Sequence, residues 1–80
     1  MDRFEHCMLE YYWSQPSYVD AAQFKPSFTI FHADGRQELQ VGGNLEITAT
    51  LNQLGREGWR IASAVTTTNW ILWTLERKLP

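Results

Sequence analysis

One stretch of this chain reads as helix, and everything else that is ordered must be strand. Asn44 follows the strand-breaking pair Gly42-Gly43 and suits an N-cap, and Glu46 sits in the first turn where a helix dipole favours an acid. The helix is expected over Leu45 to Glu57, roughly 20 Å long. Ile47, Leu51, Leu54 and Gly58 fall in one narrow stripe of it, with Gly55 beside the stripe as a point of close approach to a sheet. Gly58 is placed for the left-handed residue after the helix and Trp59 for the apolar contact that follows. Thr48 and Thr50 are poor helix formers, so packing must hold this helix.

Before the helix, residues 3–13 form an aromatic-rich strand without Gly or Pro. Alternation sets Phe4, His6, Met8, Glu10 and Tyr12 on one face and Glu5, Cys7, Leu9, Tyr11 and Trp13 on the other. Residues 14–26 hold two prolines and read as a loop anchored by Tyr18, Val19 and Phe24. SFTIFHA, Asp34-Gly35 and RQELQV then spell a β-hairpin with a two-residue type I′ turn. That register opposes Ile30 to Leu39 and Phe28 to Val41, which puts all four on one face. Two strands close the chain, about Arg60–Thr66 and Asn69–Arg77. On the first, Ile61 and Val65 share a face opposite Ala62 and Ala64. On the second, Trp70, Leu72, Thr74 and Glu76 alternate with Ile71, Trp73, Leu75 and Arg77.

The expected fold is α+β: residues 1–80 as a single domain, a mostly antiparallel sheet of about five strands in chain order β-β-β-α-β-β, and one helix on one face. A chain of 80 residues makes only a thin core. Seven Lys and Arg against nine Asp and Glu leave a net charge of −2, which supplies no basic face for nucleic acid. No apolar run approaches the ~20 residues of a membrane helix, and the first residues lack a signal-peptide core. A lone cysteine, Cys7, excludes an internal disulfide and fits a reducing cytoplasm.

The stretch Leu51–Ile61, LNQLGREGWRI, resembles the bacterial domain of unknown function 4177 family, whose consensus runs close to L-N-x-L-G-x-E-G-W-E-L at the end of its only helix. Leu51, Asn52, Leu54, Gly55, Glu57, Gly58 and Trp59 match it, and Phe4-Glu5-His6 and Leu75-Glu76-Arg77 are similar to its flanks. His6, Arg60 and Glu76 depart from the pattern, and residues 14–41 have no counterpart in it. The resemblance implies a small antiparallel sheet carrying one helix in a compact bacterial protein. It implies no catalytic residues.

The functional expectation is geometric. The chain holds eleven aromatic residues, the first and last strands carry large apolar groups on both faces, and one short helix can cover only one face. The second face then needs the 14–26 loop, another subunit or a ligand. A homo-oligomer is the commonest answer, with Trp13 and Trp73 as candidate interface anchors. The plainer reading assigns both to the protomer core. The leading expectation is a small cytoplasmic binding or accessory protein with an aromatic-lined cleft for an apolar or planar small molecule or a partner surface. Met8 and Trp70 are its candidate ligand contacts.

The alternative is a cofactor-free isomerase or cyclase in the same cleft, with His6, Glu10, Tyr12 and Glu76 as acid–base candidates. Against it stands the plainer reading of His6 as a hydrogen-bonded residue and of both acids as wet strand ends. Cys7 and His6 point to opposite faces and form no catalytic pair. Two histidines and one cysteine lack metal-ligand spacing, no nucleotide fingerprint occurs, and no cofactor is expected. His32 is expected opposite Gln37, in water. Arg56, Arg60 and Arg77 are candidates to converge on an anion, with a solvated rim as the plainer reading.

Overall fold

The computed structural model describes residues 2–12 and 26–80. The anticipated loop at 14–26, save Pro26, and Trp13 lie outside them. The elements are β1 (Phe4–Tyr12), β2 (Ser27–Phe31), β3 (Gln37–Val41), α1 (Asn44–Arg56), β4 (Arg60–Thr66) and β5 (Trp70–Lys78). The strands form one antiparallel sheet in the order β3-β2-β1-β5-β4, so β1 is central and β3 and β4 are the edges. The expected α+β architecture is therefore present, with α1 on one face.

The helix stop follows the reading of Gly58. Gly58 has φ +93°, its N–H donates to Gly55 O at 3.1 Å, and the Trp59 N–H donates to Leu54 O at 3.0 Å. These two bonds are a Schellman motif, and the buried pair Leu54 and Trp59 supplies its apolar contact. At the other end Gly43 takes the N-cap place expected of Asn44, and its N–H donates to the Glu46 carboxylate at 3.0 Å. Ile47 and Leu54 are buried and Leu51 packs beside them. Gly55 faces open space, so it marks no close approach to the sheet.

Under the helix, Leu9, Phe28 and Leu75 are fully enclosed, joined by Cys7, Tyr11, Ile30, Ile47, Leu54 and Trp59. Each enclosed Leu or Phe contributes about 2–3 kcal/mol of transfer free energy. Burial also pushes the Cys7 thiol above its ordinary pKa, against a smaller opposing pull from Arg77.

Two registers differ from expectation. The hairpin loop has three residues, Ala33-Asp34-Gly35, not two. Gly35 N–H donates to His32 O at 3.0 Å, His32 N–H donates to Arg36 O at 2.8 Å, and only Gly35 has positive φ, +94°. This is a type I turn closed by a glycine bulge rather than a type I′ turn. Asp34 accepts from the Arg36 N–H at 3.0 Å, and chiefly through that bond its carboxyl titrates below the usual range. The extra residue slips β3 by one: Leu39 opposes Thr29 and Val41 opposes Ser27. Both therefore leave the helix face and stand exposed on the other. His32 is half-buried against Glu38, 3.1 Å away, and opposes Arg36 instead of Gln37.

In β4 the register shifts between Ile61 and Ser63, a β-bulge at Ala62. Ile61 thus opposes Leu75 on the helix face while Val65 opposes Leu72 on the open one, so the two do not share a face. All seven residues of β4 are exposed.

Candidate functional site: the open face of the sheet

The face of the sheet away from α1 carries the residues singled out on β1 and β5. Pairing lays them out in rows across the strands. Val41, Ser27, Tyr12 and Trp70 form one row; Leu39, Thr29, Glu10, Leu72 and Val65 the next; Gln37, Phe31, Met8, Thr74 and Ser63 the third. A fourth row holds His6, Glu76 and Arg60, and Phe4 lies beyond it opposite Lys78. The first three rows mix apolar side chains with the polar Ser27, Thr29, Glu10, Gln37, Thr74 and Ser63, and the fourth is charged.

Exposure follows the same division. Leu39 is 69 % exposed, Val41 67 %, Val65 55 % and Met8 38 %, values far above those of the enclosed core. Tyr12, Phe31, Trp70 and Leu72 are half-buried by their neighbours on the sheet. Glu10 is the one carboxylate inside the apolar rows, and the Trp70 indole Nε1–H donates to it at 2.9 Å. Glu76 accepts from Arg60 at 2.6 Å and lies 3.9 Å from His6 Nε2.

The structure thus sets His6 beside Glu76 and Glu10 beside Trp70, pairings the alternation of single strands does not specify. What the alternation missed is the outer part of the patch, Leu39, Val41 and Val65, because both edge registers slip by one residue. Trp73 stands on the opposite, helix-bearing face, packed against the core. The three arginines do not converge: Arg60 binds Glu76, Arg56 binds Gln53, and Arg77 spans Glu5, the Glu57 carbonyl and the ring of Trp59, 4.3 Å away.

Concavity, by contrast, lies on the helix side. A groove of about 610 Å³ runs between α1 and the hairpin, with Cys7, Ile30 and Leu54 in its floor and Glu5, Glu38 and Arg77 in its walls. Trp59 is its one indole, and Met8 and Trp70 do not touch it. A second hollow of about 390 Å³ lies between Leu51, Asn52 and Ile61. Both of these open grooves thus lie on the helix side, while Met8 and Trp70 stand on the open face.

Among the described residues no helix is long and apolar enough to cross a membrane, and no three His, Cys, Asp or Glu side chains gather to hold a metal. Comparison with family models, with curated proteins and with solved structures found no match.

Proposed function

We propose that this chain is a small cytoplasmic binding or accessory protein that works as a homo-oligomer and recognises an apolar or planar molecule, or a partner surface, at the aromatic end of its open sheet face. The observation that carries the reading is the uncovered apolar patch around Met8, Leu39, Val41 and Val65, beside the rings of Tyr12, Phe31 and Trp70. An ordered patch of this kind on a small domain marks a contact surface. Tyr12 and Trp70 oppose each other in the outermost row, and two neighbouring aromatic side chains suit a planar ligand.

The acid–base alternative draws less support from the same face. His6 is more than half exposed and only 3.9 Å from Glu76, and the Glu10 carboxylate is committed to the Trp70 indole. Neither pair is enclosed away from water, where proton transfer gains most.

Titration with anilinonaphthalene sulfonate, a planar apolar probe, tests the binding reading. Saturable binding to the folded protein is expected, weakened about five-fold or more by Trp70→Ala, in keeping with ~1 kcal/mol for one aromatic contact. Binding that Trp70→Ala leaves unchanged, or none at all, contradicts it.

A further inference from the structure

We infer that the groove between α1 and the hairpin is a second binding site, and that it takes a primary alkylammonium, with the hydrocarbon body on the groove's floor and the cationic head at its walls. The inference goes beyond the open-face reading and shares no residue with it.

Three observations carry it. The first is how the groove is made. The register slip in the hairpin pairs Phe28, Ile30 and His32 with Gln40, Glu38 and Arg36 on the helix face. The shorter loop would have set Leu39 and Val41 there. β3 thus presents polar side chains on the α1 side, and Thr50, Gln53 and Glu57 of the helix and its C-cap line the same groove. Cys7, Ile30 and Leu54 make the floor apolar, and the volume of about 610 Å³ is that of a small-molecule site.

The second is charge. Of the two guanidinium groups at the groove, Arg36 binds Asp34 at 2.7 Å and Arg77 binds Glu5. Glu38 and Glu57 remain. Glu38 takes hydrogen bonds from His32 and Gln40, and Glu57 takes one from Gln53 at 2.9 Å. Among the described residues neither is paired with a Lys or Arg. The bonds from His32 and Gln40 hold the Glu38 carboxyl below its usual range, so it is charged at neutral pH.

The third is what satisfies floor and walls together. An anionic head would meet two carboxylates, and a neutral body would displace their water and supply no charge in its place. An ammonium brings three N–H donors and the compensating charge. Trp59, the groove's one indole, is buried with Arg77 over its ring at 4.3 Å, so an aliphatic body suits the floor better than a flat one.

Amide NMR titration of the full chain at pH 8, where imidazole is ordinarily neutral, tests this with hexylammonium and its anionic counterpart hexanoate. Hexylammonium is expected to give saturable shifts at millimolar concentration, largest at Ile30, Glu38 and Gln53 and absent at Trp70 and Leu72 of the open face. Hexanoate, and ethylammonium with its shorter chain, should each bind about ten-fold more weakly or worse. Glu38→Gln and Glu57→Gln change exposed side chains, so each should keep the fold by circular dichroism and weaken hexylammonium about three-fold or more. Trp70→Ala should leave it unchanged. Hexanoate binding as tightly, binding that both acid variants leave unchanged, or no saturable shift overturns the alkylammonium site. Binding lost in Trp70→Ala alone overturns it too and moves the amine to the open face, whose planar-ligand reading stands or falls separately on the anilinonaphthalene sulfonate titration.

Discussion

The Trp70 indole N–H and the Glu10 carboxylate meet at 2.9 Å along the diagonal between neighbouring rows of β1 and β5. Diagonal neighbours lie within reach of an aromatic side chain. The bond supplies a donor to a carboxylate that has apolar neighbours. Glu10→Ala should therefore cost about 1 kcal/mol in chemical denaturation and shift Trp70 emission, whereas Glu10→Gln keeps an acceptor and costs less. Equal effects of the two variants would mean that the bond does not form.

Gly58 and Gly35 adopt the same left-handed backbone, but their surroundings differ. A Cβ at Gly58 would stand 3.3 Å from Arg77 Cδ, against the side chain that spans Glu5 and Trp59, while at Gly35 it meets open space. Gly35→Ala should cost about 1 kcal/mol from backbone strain alone, and Gly58→Ala more, about 2 kcal/mol, with a correspondingly lower Tm. The order of the two melting points is the check.

Cys7 is buried, and its thiol is held above the ordinary pKa by burial. Folding therefore favours the protonated thiol. That contribution is complete below the unfolded thiol pKa and declines as pH rises through the folded one. Iodoacetamide at pH 8 should label the unfolded chain readily and the native chain far more slowly, since the thiolate is the nucleophile. Rapid native labelling would contradict the placement of Cys7 under the helix.

Much of this fold can be read from residues whose chemistry leaves one choice. Gly58-Trp59 after Leu54 specifies how the helix ends, because only a left-handed residue followed by a large apolar one completes that stop. The alternation of β1 and β5 was legible because both are central strands, where a slip would move Leu9 and Leu75 out of the core. The edges were not. Asp34-Gly35 serves a three-residue loop as well as a two-residue one, since glycine fills the left-handed place in either. The pattern Phe28, Ile30, Leu39, Val41 favours the shorter loop, yet β3 lies at the sheet edge, where burial does not enforce the register. Ala62 likewise shows nothing in its own identity that announces a bulge. Those two slips are what carry Leu39 and Val65 onto the open face, so the extent of the patch emerges only in three dimensions.

The central claim, that the open face is a contact surface of the homo-oligomer proposed above, is tested most directly at Met8. Met8 sits mid-strand on the central strand and is 38 % exposed in a lone protomer. A freely diffusing spin label broadens the NMR signals of accessible methyl groups. The Met8 signal, assigned by its loss in Met8→Leu, should stay sharp in concentrated protein and broaden progressively on dilution. A Met8 methyl broadened equally at every concentration would contradict the account.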